Sequence, residues 1–157
     1  MDDTRSDDLV TALLTASRAL VGVSAHSLAT VEDTVTIAQF RSLVILASKG
    51  PSTLANLAGE LGVTASTAQR QIDRLVGQEL VTRQENPQDR REVVITITPS
   101  GKRIVDSTTR RRRKAIAAIV ANMSPVDTDA LIEALDAFAT AAREPAVETD
   151  GAARLGW

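Results

Sequence analysis

Two helical segments joined by a short turn constrain the fold of this chain more than any other feature. In the first segment, apolar residues recur at helical spacing, at Leu54, Leu57, Ala58 and Leu61. Gly62 follows, and glycine readily adopts the left-handed conformation that ends a helix. Val63 then provides an apolar plug, and Thr64 is a good N-cap for a second helix. This succession is the helix-turn-helix pattern.

The second helical segment, residues 64–76, has two chemically different faces. At about 100° per residue, one side is apolar and contains Ala65, Ala68, Ile72, Leu75 and Val76. The opposite side contains Ser66, Thr67, Arg70, Asp73 and Arg74. A helix exposed only to water usually has Glu and Lys pairs there, whereas hydroxyl, amide and guanidinium groups reach bases and phosphates. The sequence therefore predicts a DNA-binding helix whose candidate contacts are Thr64, Ser66, Thr67, Gln69, Arg70 and Arg74.

A hairpin with a basic loop follows. Residues 80–84 and 92–98 have the composition of strands, and the loop between them has Asp89, Arg90 and Arg91 at its tip. Arginine at a hairpin tip suits a narrow minor groove, whose negative potential attracts guanidinium groups, and Asp89 could pair with Arg91. The alternative is a solvated charged turn, but the position after a helix-turn-helix favours DNA contact. A helix-turn-helix followed by a hairpin is a winged helix.

Apolar stripes at helical spacing also occur outside the winged helix. They predict a long helix over residues 8–31, a helix over 37–48 that begins the winged domain, one from Thr98-Pro99 to about 123, and a last one from Ser124-Pro125 to about 143. A small winged domain does not need the first and last stripes, so they pack against each other or against a second subunit. The predicted fold is mainly α with a small β-hairpin wing: a winged helix-turn-helix flanked by helices.

Five cations, R-R-R-R-K, stand in succession at residues 110–114. Five consecutive residues sweep about 400° of a helix, so at least one of them faces inward. An inward arginine requires an anionic partner, from the protein or from a ligand. The alternative for most of the run is a solvated helix face.

The composition bounds the remaining functions. With 157 residues the chain forms one compact domain or a small domain plus an arm, and the absence of cysteine excludes disulfides and thiolate metal sites. One histidine, His26, and no glycine-rich phosphate loop leave no catalytic constellation, so we expect no enzyme, no metal and no cofactor. The acidic N-terminus and the lack of an apolar run of about 20 residues predict a soluble, cytoplasmic protein without a membrane partner.

The net charge of -2 hides a division along the chain. Residues 64–114 contain 12 Lys and Arg against 6 Asp and Glu, whereas the remainder contains 6 against 14. A polyanion would be attracted to the first region and repelled by the second, which favours an oriented approach to nucleic acid. Chance segregation of charge is the alternative.

The wing and the second helix carry a family likeness. N-P-Q-D-R-R-E-V-V-I-T-I-T-P-S-G, residues 86–101, and G-V-T-A-S-T-A-Q-R-Q-I-D-R-L-V, residues 62–76, resemble the wing and recognition helix of the MarR family of bacterial transcriptional regulators. Asp89 and Arg91 occupy the acidic and basic positions of the wing signature. Asn86 and Ile97 depart from it, where the family often has Asp and usually has Leu. The resemblance extends over about residues 9–143.

The resemblance implies a homodimer that binds a pseudo-palindromic operator, usually as a repressor. It divides the chain into an N-terminal dimerisation helix (8–34), a winged helix-turn-helix (36–100), C-terminal dimerisation helices (101–143) and a disordered tail (144–157). Many members release DNA when a small, often aromatic and anionic effector enters the cleft between the arm and the winged domain. The candidates for that contact are His26, Arg110, Arg111, Arg112 and Arg113.

One rival interpretation belongs to another functional class. A winged helix can bind protein and lack specific affinity for DNA, in which case the polar helix face would contact a partner chain. The arginine-rich wing and the polar face argue against this interpretation. Retardation of a specific DNA fragment distinguishes the two.

Overall fold

The computed structural model describes residues 3–29, 35–86, 89 and 92–144 of the chain. These residues are mainly helical, with a small antiparallel sheet. The elements, in chain order, are α1 (Asp3–Leu28), α2 (Ile37–Lys49), β1 (Ser52–Thr53), α3 (Leu54–Leu61), α4 (Ala65–Gly77), β2 (Val81–Glu85), β3 (Val93–Ile97), α5 (Pro99–Ala121) and α6 (Thr128–Ala141).

Threonine side chains begin the helices of the winged region. Thr36, Thr53 and Thr64 cap α2, α3 and α4, and each hydroxyl accepts a hydrogen bond from the backbone amide three residues later. Gly62 follows α3 with φ 65° and ψ 31°, the left-handed conformation that its position predicted. The predicted helix-turn-helix is therefore confirmed as α3 and α4.

The sheet has one strand more than the sequence predicted. Its order is β1-β3-β2, and the hairpin pairs Val81 with Ile97 and Glu85 with Val93. Strand β1 has two residues, which pair with Val94 and Ile95 of β3. Two residues have no periodicity of their own, so this strand exists only because a partner far along the chain supplies its hydrogen bonds.

A single apolar core joins α2, α3, α4, the hairpin and the first half of α5. Its most deeply buried apolar side chains are Val35, Leu43, Ile45, Leu46, Leu57, Ile72, Leu75, Val81 and Ile95. Full burial of one such side chain stabilises a fold by about 1.5–3 kcal/mol. We call residues 35–109, which contain almost all of this core, the head.

Helix α5 begins against the base of the hairpin. Thr98 caps it, with Pro99 as its first residue, as predicted. A Cβ on Gly101 would overlap the carbonyl oxygen of Leu80 and lie 2.8 Å from Cγ1 of Ile97. Only glycine therefore permits this close approach of α5 to the hairpin.

The remaining helical residues, 3–29 and 110–143, form what we call the arm. Its large apolar side chains are 37–65% exposed at Leu9, Val10, Leu14, Leu20, Val21, Ile119, Val120, Met123, Val126, Leu131, Ile132, Leu135 and Phe138. Helix α1 packs against α5, but α6 has no buried residue. The apolar face of α6 is therefore open to solvent and is covered by no other part of the chain that the structure describes.

Two helix boundaries in the arm differ from prediction. Asp127, not Ser124, caps α6, and its Oδ1 accepts a hydrogen bond from the Ala130 amide at 3.1 Å. A carboxylate at a helix N-terminus gains from the helix dipole as well as from this hydrogen bond, which favours the later start. Helix α1 spans Asp3–Leu28 rather than residues 8–31.

Helix α1 is long and apolar enough, over Thr4–Leu28, to cross a membrane by length and composition. The expectation that no apolar segment reaches such a length is therefore wrong for this helix. Arg18 lies in the middle of the segment, where a charge at the bilayer centre costs about 2.5–3.5 kcal/mol. A helix that packs its apolar face against protein passes the same test, so length alone assigns α1 no membrane role.

Candidate nucleic-acid interface

Helix α4 presents one face to the core and the other to solvent. Ala68, Ile72 and Leu75 are completely buried, as the periodicity predicted. Ala65 was assigned to the same stripe but is exposed, because the first turn of α4 extends beyond the core. Ser66, Arg70, Asp73 and Arg74 are exposed on the opposite side. The amphipathic division of this helix thus follows from its sequence.

The N-terminal turn of α4 is a cluster of hydroxyl groups. The Thr64 hydroxyl accepts from the Thr67 amide at 3.3 Å, donates to the Thr67 hydroxyl at 3.0 Å, and lies 3.1 Å from Oγ of Ser66. The Arg70 guanidinium donates to Oγ1 of Thr67 at 3.4 Å. Backbone amides and hydroxyls at a helix N-terminus suit a phosphate oxygen. Thr64, Ser66, Thr67 and Arg70 therefore form one continuous polar surface.

A cleft of about 310 Å³ separates α4 from the N-terminus of α2. Arg70 and Arg74 line one wall, and Thr36 and Gln39, which form the capping box of α2, line the other. Gln71 joins the two helices, since its Oε1 accepts from the Ser42 hydroxyl at 3.3 Å. The two predicted arginines of the recognition helix thus share one exposed cleft.

On the other flank, α4 is bonded to the wing strand β2. Asp73 Oδ1 accepts from Nη2 of Arg83 at 2.6 Å and from Nε2 of Gln69 at 3.0 Å. The hydrogen bond from Arg83 holds the pKa of the Asp73 carboxyl below its usual value. The sequence did not assign a role to Arg83, and the available signal was an unbalanced acid, Asp73, on the polar side of the predicted helix.

The base of the wing loop is closed by hydrogen bonds. The backbone amide of Asn86 donates to the Glu92 carbonyl at 2.8 Å, and Nδ2 of the Asn86 side chain donates to the Glu92 carboxylate at 2.7 Å. Asp89 is exposed, and its carbonyl accepts from the Glu92 amide at 2.9 Å. Arg90 and Arg91 lie outside the described residues, so their predicted DNA contacts and the pairing of Arg91 with Asp89 stay predictions.

The arginine run divides between the inside and the outside of α5. Arg110 and Arg113 are exposed, whereas Arg111 and Arg112 are half-buried. The Arg111 guanidinium donates to the Ser27 carbonyl at 3.2 Å, near the C-terminus of α1. Nε of Arg112 is buried and has no hydrogen-bond partner among the described residues. At least one cation of the run thus faces inward, as the helix geometry required.

A second buried polar atom lies on the same face of α5. Thr108 precedes Arg112 by four residues, its side chain is fully buried, and its Oγ1 also lacks a described partner. His26, by contrast, is exposed on the last turn of α1, and Arg110 lines a separate cleft of about 510 Å³ with Arg103 and Leu80. The predicted effector residues therefore do not form one cluster.

An ion pair joins the head to the end of the arm. Nη1 and Nη2 of Arg41, on α2, donate to the two carboxylate oxygens of Glu144, at 2.5 and 2.6 Å. Hydrogen bonding to Arg41 lowers the pKa of Glu144, and Arg112 adds a weaker Coulombic contribution of the same sign. The predicted tail began at Glu144, which forms this ion pair; residues 145–157 lie outside the described residues, so their disorder stays a prediction.

Comparison with known proteins identifies the family in which this combination of elements occurs. A family model of MarR regulators matches residues 35–93. The protein in the crystal structure of RV1404 from Mycobacterium tuberculosis is 48% identical in sequence to this chain. The match covers 91% of this chain and 97% of the RV1404 chain, with a TM-score of 0.84.

Two curated relatives match a shorter stretch. A transcriptional regulator of Bacillus subtilis and the HTH-type transcriptional repressor NicR of Pseudomonas putida are each 36% identical, over 80 and 73 residues. These matches cover 51% and 46% of this chain and span 55% and 46% of the two relatives. Another similar structure is that of Bordetella bronchiseptica BpsR, whose DNA binding is regulated by 6-hydroxynicotinic acid. It is 22% identical, and the match covers 82% of this chain and 91% of the BpsR chain. With a TM-score of 0.62, this likeness is one of fold.

Proposed function

Because this chain belongs to the MarR family, we propose that it is a cytoplasmic transcriptional repressor that binds a pseudo-palindromic DNA operator as a homodimer. The observation that carries the proposal is the exposed face of α4, where hydroxyl and guanidinium groups adjoin each other. Similarity to NicR, which is a transcriptional repressor, supports repression rather than activation.

The DNA contacts divide into two kinds. Arg70 and Arg74 lie on the exposed face of α4, where a recognition helix meets base edges in the major groove. Arg90 and Arg91, at the wing, are suited to the minor groove and its phosphates. Arg70→Ala should therefore relax discrimination between sequences, by about 1–3 kcal/mol for a bidentate base contact. Arg90→Ala should instead weaken all sequences alike and reduce the salt slope by about 1.

The exposed arm supports the homodimer. Leu131, Leu135 and Phe138 succeed one another along one side of α6, and they are 37–54% exposed. This apolar stripe on α6, with similar exposed stripes on α1 and the end of α5, supports an interface between two copies of the chain, because obligate homodimer interfaces are apolar. Two-fold symmetry would set the two recognition helices about one DNA turn apart, or a multiple of it.

A titration of fluorescent DNA duplexes tests the proposal. The DNA upstream of the chain's own coding sequence should bind far more tightly than a random duplex of equal length at the same salt concentration. Sedimentation equilibrium should give a dimer at micromolar concentration. Equal affinity for both duplexes would favour a protein-binding winged helix, and a folded monomer would overturn the dimer.

We further infer that an anionic small molecule releases the DNA. Nε of Arg112 and Oγ1 of Thr108 are buried and have no hydrogen-bond partner among the described residues, which supports a polar ligand against this face of α5. BpsR supports an aromatic carboxylate. A 100-fold preference for the released state supplies about 2.7 kcal/mol of coupling. Aromatic residues are only 2% of the chain, so affinity would depend on charge more than on stacking.

Variants within one run of arginines test the effector site. Salicylate should dissociate the operator complex and its neutral amide should not. Arg112→Gln and Thr108→Val should weaken release by salicylate, whereas Arg113→Gln, which removes the same charge from an exposed position, should leave it unchanged. Equal release from all three variants would restore the interpretation of a solvated and structural run.

A further inference from the structure

The DNA-facing side of α4 contains an acid, which requires an explanation. Asp73 is half-exposed, next to Arg74 and three residues from Arg70, where a carboxylate would repel phosphates if its charge were not balanced. Arg83 of β2 supplies that balance at 2.6 Å. The same carboxylate oxygen also accepts from the side-chain amide of Gln69, one turn earlier on α4. Arg83, Asp73 and Gln69 thus form a continuous chain of hydrogen bonds.

This chain determines how the Gln69 carboxamide is oriented. An ionised carboxylate can only accept hydrogen bonds, so the amide nitrogen of Gln69, not its oxygen, must face Asp73. The ordinary pKa of aspartate lies far below 7 and the Arg83 hydrogen bond lowers the pKa of Asp73 further, so the carboxyl is ionised at neutral pH. Asp73 engages one hydrogen of Nε2, and engagement of the hydrogen anti to Oε1 leaves the other hydrogen and Oε1 on the same edge of the carboxamide.

The position of Gln69 on the helix suits contact with a base. It is the fifth residue of α4, in the N-terminal half, and recognition helices contact base edges with their N-terminal residues. A carboxamide with one donor and one acceptor free on the same side matches adenine in the major groove, donating to N7 and accepting from the N6 amino group. No other base presents that pair of groups in this order.

We propose that Gln69 selects adenine at one position of each half-site, and that Asp73 and Arg83 are positioning residues that orient its carboxamide. The proposal rests on the proposed function as a DNA-binding regulator. Because Arg83 belongs to β2 and is paired in register with Ile95 of β3, the same hydrogen bonds tie the wing to the recognition helix. The wing and the base-reading side chain are therefore held in one arrangement.

Selection of bound duplexes from a random DNA library, followed by sequencing, tests this proposal. The unmodified protein should prefer adenine at one position of each half-site by about 5- to 100-fold over other bases. Gln69→Ala should abolish that preference and leave the other positions unchanged. Arg83→Gln should reduce it, and Arg83→Lys, which retains the ion pair, should restore it.

A matched control separates positioning from charge. Arg103→Gln removes the same charge from an exposed side chain that donates to Ser100 on its own helix, and it should not change the base preference. If Gln69→Ala keeps the adenine preference, or if Arg83→Gln lowers affinity for all sequences equally, the inference is overturned while the proposed function stands. If the unmodified protein enriches no sequence, the proposed function falls and the inference with it.

Discussion

The head and the arm differ in where their apolar side chains find partners. In the head, Leu57, Ile72 and Leu75 are completely buried within the chain, so its core is closed. In the arm, Leu135 and Phe138 have the same helical periodicity but are more than half exposed. The same spacing of apolar residues thus gives a buried core in the head and a solvent-exposed apolar surface in the arm. The difference teaches that amphipathic periodicity predicts a buried face but not which chain covers it.

The largest expected effect comes from placing a charge on the open surface of the arm. In a two-fold interface, Leu135→Asp would bury two unpaired carboxylates, one from each copy of the chain. We therefore expect the dimer dissociation constant to rise by more than about 100-fold. Ile37→Asp is the matched control, since Ile37 is 60% exposed but belongs to the head. Sedimentation equilibrium measures both. Equal dimerisation of the two variants would contradict the assignment of the arm.

The same truncation in both regions sharpens the comparison. Ile72→Ala removes a fully buried side chain of α4 and should lower the free energy of unfolding by about 2–5 kcal/mol. Ile132→Ala, on α6, removes a side chain that is 51% exposed in one chain. Its effect should therefore depend on protein concentration through the dimer. Urea unfolding at two protein concentrations distinguishes the regions, and a concentration-independent loss for Ile132→Ala would place α6 in a monomeric core.

Gly59, within α3, and Gly62, directly after it, should respond with opposite sign to the same substitution. Gly62→Ala forces an L-residue to φ 65° and should destabilise the head by about 1–2 kcal/mol. Gly59→Ala lies within the helix, where alanine is favoured over glycine by up to about 1 kcal/mol. Apart from the adjoining residues and the backbone of the helix, no described atom lies within 4 Å of the added Cβ at either position, so packing does not obscure the comparison. Thermal unfolding measures both, and a neutral Gly62→Ala would contradict the role of its left-handed conformation.

What the sequence predicts well is local. Gly62, Thr64 and Thr98 determine where helices begin and end through contacts within a few residues, and all three lie where they were expected. What it missed depends on contacts between different elements. Strand β1 exists through its pairing with β3, and the Arg83–Asp73 pair joins a strand to a helix.

The candidate site follows the same division. The exposed face of α4 could be predicted from periodicity alone, because a single helix determines it. Helical periodicity likewise required that one cation of residues 110–114 face inward, but not which one. Only packing between helices selects Arg111, which donates to the Ser27 carbonyl of α1, and Arg112, whose Nε is buried.

The smallest expected effect concerns the ion pair of Arg41 with Glu144, which joins the head to the arm. Glu144→Gln should lower the free energy of unfolding at pH 7 by no more than about 1 kcal/mol, because both side chains are about 40% exposed and screened by water. Glu60→Gln is the control, since Glu60 forms a similarly exposed pair with Lys49 within the head.

The pH dependence of that effect has a determined sign. Arg41 lowers the pKa of Glu144 in the folded state, so the contribution is fully present above the ordinary glutamate pKa of 4.5 and is lost as pH falls through the lower folded value. The difference between the unmodified protein and Glu144→Gln should therefore shrink as the pH is lowered from 7 to below 4.5. Hydrogen exchange shows which helix is affected. At pH 7 the amides of α6 should exchange faster in Glu144→Gln than in the unmodified protein, and their exchange rate should be unchanged in Glu60→Gln. If α6 exchanges equally in both, the pair does not hold the arm to the head, and the dimer interface alone orders this helix.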